Sequence, residues 1–128
     1  MKIVSKQSPN FSAKTRNLKD IKFIILHYTG MQSTRESIKR LLNKRSKVSC
    51  HYLISRKGVI YKLVDVKKIA WHAGKSKWKN FKNLNYKSIG IELQNKGHNI
   101  NYERFTKIQL ISLLKLLKKL IKIETKIH

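Results

Sequence analysis

Phe23-Ile24-Ile25-Leu26-His27-Tyr28-Thr29-Gly30 runs four apolar residues into a histidine and closes on a glycine. Apolar runs of this length bounded by Gly read as buried strands. The stretch predicts a strand from about Ile21 to His27 that delivers one imidazole to its exposed end. A neutral imidazole is the commonest protein metal ligand; the competing reading is a histidine that caps a core strand.

Working outward, Ser33-Thr34-Arg35-Glu36 has the S-x-x-E pattern of a capping box, and Ile38, Leu41 and Leu42 follow at helical spacing. A short helix is predicted there. Cys50 to Ser55 and Val59 to Val64 read as a hairpin turned at Arg56-Lys57-Gly58, where Gly supplies the turn. Ser88-Ile89-Gly90-Ile91-Glu92-Leu93 is a second apolar strand, built around a lone carboxylate. Thr106-Lys107-Ile108-Gln109 repeats the capping pattern. Ile108, Ile111, Leu114, Leu117 and Ile121 then recur with Lys115, Lys118, Lys119 and Lys122 interleaved, predicting an amphipathic last helix over 106–124. Ile3 to Asp20 reads as an irregular N-terminal segment and Lys67 to Asn85 as a loop. Strands mixed with two helices place the chain in the α/β or α+β classes, around a central sheet.

At 128 residues the chain is expected to form one domain. It carries 30 Lys+Arg against 6 Asp+Glu, the electrostatic footprint of a protein that meets nucleic acid or another anionic surface. Lysine far outnumbers arginine, however, and the lysines are spread along the chain. With Ile and Asn also abundant, the bias matches A/T-rich codons, so a nucleic-acid-binding function ranks behind readings that rest on motifs. The single cysteine, Cys50, has no partner for an internal disulfide or a CxxC zinc site. Residues 1–10 hold no apolar run of leader length and no stretch approaches a membrane span, so a soluble cytoplasmic protein is expected. Oligomeric state leaves no mark in the sequence.

Three features carry chemistry: His27 at a strand end, Glu92 inside an apolar strand, and Trp71-His72-Ala73-Gly74 between them. A buried carboxylate costs several kcal/mol unless paired, hydrogen-bonded or protonated. Desolvation raises its proton affinity, which suits a general base that passes a proton from water to a leaving amine. The alternative for Glu92 is an ion pair with one of the lysines; for His72 it is a satisfied loop histidine beside a packed Trp.

His27-Tyr28-Thr29-Gly30, Val48-Ser49-Cys50-His51-Tyr52-Leu53-Ile54, Ala70-Trp71-His72-Ala73-Gly74 and Asn85-Tyr86-Lys87-Ser88-Ile89-Gly90-Ile91-Glu92 resemble, in order, the motifs of the zinc-dependent N-acetylmuramoyl-L-alanine amidases of type 2. The likeness runs from Ser8-Pro9-Asn10-Phe11 to the last helix. It is nearest to bacterial members that trim muropeptides or recycle anhydro-muropeptides, with peptidoglycan-recognition proteins more remote. The resemblance implies an α/β fold, a central mixed β-sheet flanked by helices, with a groove for the peptidoglycan stem peptide. It implies a Zn2+ cofactor with His27 as first ligand and Glu92 as the catalytic glutamate. Asn85, Trp71, His72 and His51 match positions that line or back the groove. The implied reaction cleaves the amide between N-acetylmuramic acid and L-alanine in peptidoglycan or muropeptides. The family's second ligand is a histidine after the last helix and its third an Asp or Cys shortly beyond, whereas this chain stops at Thr125-Lys126-Ile127-His128. A chain lacking the C-terminal part is therefore expected, with His51 or His128 as substitute ligands and a zinc-poor remnant or muropeptide-binding module as the alternative to an active enzyme.

Overall fold

A computed structural model describes residues 2–73, 77–78, 81–82, 84–97 and 103–125. Its centre is a mixed five-stranded sheet. The elements are β1 (Ile3–Ser5), β2 (Phe11–Thr15), β3 (Phe23–Tyr28), α1 (Thr34–Leu42), β4 (Tyr52–Ile54), β5 (Ile60–Lys62), β6 (Lys68–Ala70), β7 (Lys77–Trp78), β8 (Phe81–Lys82), α2 (Leu84–Lys87), β9 (Ser88–Leu93) and α3 (Lys107–Thr125). The sheet order is β1-β5-β4-β9-β3. β4 and β5 form the expected antiparallel hairpin, while β9 runs parallel to both β4 and β3 and β1 parallel to β5.

The alternation of side chains along β4 and β9 sorts the core. Tyr52, Ile54, Ile89, Ile91 and Leu93 point to one face, where Leu113, Leu116 and Leu120 of α3 cover them. Leu53 points to the other, against Leu41 of α1 and Cys50 and Leu63. On β9 the second-face positions are Ser88, Gly90 and Glu92, so the period-two geometry that buries three branched residues under α3 also turns the carboxylate toward α1.

Both helix starts form as their sequences predict. Ser33 Oγ accepts the Glu36 N–H at 3.1 Å. At α3, Thr106 Oγ1 accepts the Gln109 N–H at 3.1 Å while Gln109 Oε1 accepts the Thr106 N–H at 3.3 Å, the reciprocal box.

Three expectations are corrected. The segment before residue 20 is not irregular throughout: β1 extends the sheet beside β5, and β2 pairs antiparallel with β6. Lys67 to Asn85 likewise contains β6, β7, β8 and the start of α2. The third concerns the rotation of α3. Of the apolar series that marks the helix as amphipathic, Leu117 packs against the core, but Ile108, Ile111, Leu114 and Ile121 are 54%, 42%, 59% and 51% exposed, whereas Gln109, Leu113, Leu116 and Leu120 are buried. The helix is apolar over most of its circumference, so periodicity alone leaves its rotation open. Gln109 settles it: its Nε2 donates to the carbonyls of Ile54 at 3.1 Å and Gln94 at 2.9 Å, tying one side of the helix to the ends of β4 and β9.

Candidate active site

His27 and Glu92 are register partners in the parallel β3–β9 pair. Residues paired this way lie on the same face of a sheet, so two groups 65 positions apart in the sequence stand side by side.

His72, carried by the segment after β6, completes the cluster. Its Nδ1 is 3.0 Å from His27 Nε2, and its Nε2 is 3.1 Å from Ser88 Oγ. Ser88 donates its hydroxyl to the Leu84 carbonyl at 2.5 Å, so it accepts from His72. The proton on His72 is therefore at Nε2, its Nδ1 accepts from His27 Nε2–H, and the lone pair of His27 is left on Nδ1. A directed chain results: His27 to His72 to Ser88 to the Leu84 carbonyl. Burial holds both rings neutral; it lowers the pKa of His27, and it lowers that of His72 to about 3 with the nearby His51, His27 and Arg16 adding to the effect.

Gly90 makes room for this ring. A methyl group at Gly90 would sit 2.4 Å from Cγ of His72. A glycine inside a strand often marks such a close approach, and this was the one cue in the sequence to the packing of His72.

Glu92 Oε2 is shielded from solvent and has no hydrogen-bond partner among the described residues. Burial raises the Glu92 pKa to about 7, against a smaller opposing influence from Arg40. No lysine pairs with it among the described residues, where the ion pairs are Arg56–Glu103 and Lys62–Asp65. Glu92, His72 and Trp71 line a cleft of about 220 Å³ together with Ser37, Arg40 and Leu41 of α1. Trp71 is fixed by its Nε1–H to Ser12 Oγ at 3.0 Å and by its backbone N–H to Ser49 Oγ at 2.9 Å.

The other two matched positions play supporting parts. His51 is 0% exposed. Its Nδ1 accepts the Gly90 N–H at 3.0 Å and its Nε2–H donates to the Lys68 carbonyl at 2.9 Å, so neither nitrogen is open to a substrate or a metal ion. The expectation that His51 touches substrate or substitutes as a ligand is corrected accordingly. Burial pushes its pKa down to about 4. Asn85 uses its side-chain oxygen to accept the backbone N–H groups of His72 at 3.0 Å and Ala73 at 2.7 Å, which holds the His72 segment in place.

Arg16 was missed by the sequence reading. It is 6% exposed and donates to the carbonyls of Val66 at 3.0 Å, Asn85 at 3.1 Å and Tyr86 at 2.8 Å. Burial brings its pKa down to about 10. It therefore ties the turn before β6 to α2, and through Asn85 to His72. An arginine in a lysine-rich chain gives no local signal of such a role.

The profile of the N-acetylmuramoyl-L-alanine amidase family matches residues 17–127. The chain belongs to that family. Among curated relatives, the N-acetylmuramoyl-L-alanine amidase AmiD of Escherichia coli is 40% identical over 84 residues, covering 60% of this chain and 29% of AmiD. The 1,6-anhydro-N-acetylmuramyl-L-alanine amidase AmpD of the same organism is 48% identical over 48 residues, covering 38% of this chain and 26% of AmpD. Among solved structures, AmiD in complex with anhydro-N-acetylmuramic acid-L-Ala-D-γ-Glu-L-Lys superposes with a TM-score of 0.73 at 34% identity, over 88% of this chain and 46% of that one. AmpDh3 from Pseudomonas aeruginosa gives 0.75 at 29%, over 89% and 50%. In each of these four comparisons the match spans half or less of the relative's length.

Catalytic zinc takes three protein ligands and an open position. The described residues of this amidase-family chain contain no group of three His, Cys, Asp or Glu placed to hold a metal ion. His27 offers Nδ1, but His72 has both nitrogens engaged with His27 and Ser88, so these residues alone do not make a zinc site. His128 lies outside the described residues. No helix among the described residues is long and apolar enough to cross a membrane.

Proposed function

We propose that the cleft between α1 and the His72 segment binds muramyl peptides, and that Glu92 acts there as the general base for cleavage of the amide between N-acetylmuramic acid and L-alanine. The carrying observation is the solvent-shielded, unpartnered Oε2 of Glu92 beside His27 in a cleft of a chain that belongs to the amidase family. A carboxyl with a pKa of about 7 is half-deprotonated near neutrality, where general-base efficiency is highest.

In this reading water attacks the lactyl carbonyl and forms the C–O bond while Glu92 takes its proton. The C–N bond then breaks and Glu92-H returns the proton to the amine of L-alanine. Trp71 supplies an apolar wall for the substrate, and the His27–His72–Ser88 chain holds the neighbouring imidazoles neutral and directed. Asn85 and Arg16 keep His72 in register. The substrate class is that of the relatives, which include an amidase solved with an anhydro-muramyl tripeptide. In such a peptide the glutamate is joined through its γ-carboxyl, which leaves its α-carboxylate free.

A second reading is a muropeptide-binding module with little catalysis. It is favoured by the lack of a three-ligand cluster among the described residues. The two separate in one assay: N-acetylmuramyl-L-Ala-D-γ-Glu-L-Lys is incubated with the chain, with and without zinc, and free tripeptide is followed by mass spectrometry. Release that disappears in Glu92→Gln supports the enzyme; saturable binding without release supports the module. One-site zinc binding lost in His27→Ala would point to ligands beyond the described residues.

A further inference from the structure

The cleft has one charged group for which the hydrolytic reading has no use. Arg40 lies on the same face of α1 as Ser37 and Leu41, and it is the only Lys or Arg among the described residues lining the cleft. Its guanidinium forms no ion pair among those residues. Its influence on Glu92 acts through space and is the minor contribution there. Arg40 is itself solvent-accessible, at the rim of the cleft, so an incoming anionic group can reach it.

We propose that Arg40 takes the free α-carboxylate of the γ-linked glutamate and makes the cleft selective for the acid over its carboxamide. The proposal rests on the muramyl-peptide reading above. One residue, L-alanine, separates the scissile amide from that glutamate. A residue spans at most about 3.6 Å, which puts the carboxylate within roughly 7 Å of the reacting carbonyl. Glu92 and Arg40 line the same cleft, and Arg40 is near enough to act on the Glu92 charge, so a peptide with its scissile bond at Glu92 has α1 within reach of its acidic branch. A guanidinium meets a carboxylate through two parallel N–H···O bonds, and the planar carboxamide cannot accept both.

The test is calorimetric binding of N-acetylmuramyl-L-Ala-D-γ-Glu-L-Lys and of the same peptide with its glutamate α-carboxyl amidated, to the full chain and to Arg40→Gln. Lys39→Gln, a neighbouring exposed lysine outside the cleft lining, controls for general charge. The expected result is about tenfold tighter binding of the acid by the native chain. Arg40→Gln should remove that preference without changing the affinity for the amide, and Lys39→Gln should retain it. Equal affinity of the native chain for acid and amide overturns the proposal, as does an equal loss of preference in Lys39→Gln. Failure of the native chain to bind either peptide overturns the muramyl-peptide reading as well, so the two failures are distinct. Circular dichroism of Arg40→Gln checks the fold, and Arg40→Lys, expected to keep part of the preference, provides a second variant.

Discussion

His27 and Glu92 face each other across the parallel pairing of β3 and β9, one imidazole and one shielded carboxyl on the same side of the sheet. Burial without a hydrogen bond is what holds Glu92 Oε2 at high proton affinity. Between its ordinary pKa of 4.5 and about 7 the folded carboxyl keeps a proton that the unfolded chain has released. This contribution to stability therefore falls as pH rises through that window and stays lost above it, by on the order of 2 to 3 kcal/mol. Glu92→Gln removes the dependence. Urea denaturation should show the variant more stable than the native chain at pH 8, with the gap closing near pH 4.5. A gap that does not change with pH would contradict the shielding of Glu92.

His51 works in the opposite direction. Its folded pKa of about 4 lies below the ordinary 6.5, so as pH falls from 6.5 to 4 the unfolded chain takes up a proton that the folded chain does not. Stability is lost over that interval. His51→Ala strands the Gly90 N–H and the Lys68 carbonyl and leaves a cavity, at a cost of roughly 3 kcal/mol at neutral pH. Its denaturation midpoint should also be less sensitive to acid than that of the native chain. Retention of the native midpoint would show that the ring is not the support the two hydrogen bonds describe.

Gly90→Ala tests the seat of His72. The added methyl would lie 2.4 Å from its ring, and the β9 backbone that carries it is paired on both sides. Overpacking of this kind costs about 1 to 3 kcal/mol. The expected outcome is a lowered melting temperature together with a changed His72 imidazole signal by NMR. An unperturbed imidazole signal would mean that the ring has another place to go.

The frame was legible where local rules act alone. Both helix N-caps, the β4–β5 hairpin and the apolar strand around Glu92 follow from short-range spacing and turn chemistry. His27 and Glu92 as a pair came from the ordered motifs, since no local pattern relates residues on separate strands. What stayed hidden depends on distant partners. β1 and β2 are short and acquire their identity from β5 and β6, and Arg16 is defined by three carbonyls far along the chain. His51 read as a groove residue because its neighbours match groove motifs, while its burial is set by Gly90 and Lys68.

The rotation of α3 is a similar case and has its own test. Leu116 is 0% exposed and Leu114 is 59% exposed. Leu116→Ala should cost roughly 3 kcal/mol and Leu114→Ala less than about 1 kcal/mol. Chemical denaturation of the two variants distinguishes the observed rotation from the one the lysine spacing suggests. Reversal of the order would turn the helix back by one residue.

The muramyl-peptide cleft is tested most directly by NMR titration of the isotopically labelled chain with N-acetylmuramyl-L-Ala-D-γ-Glu-L-Lys. Saturable shifts at Glu92, Trp71 and Ser37, with α3 unaffected, are the predicted result. Saturable shifts confined to other surfaces, or none at all, would contradict it.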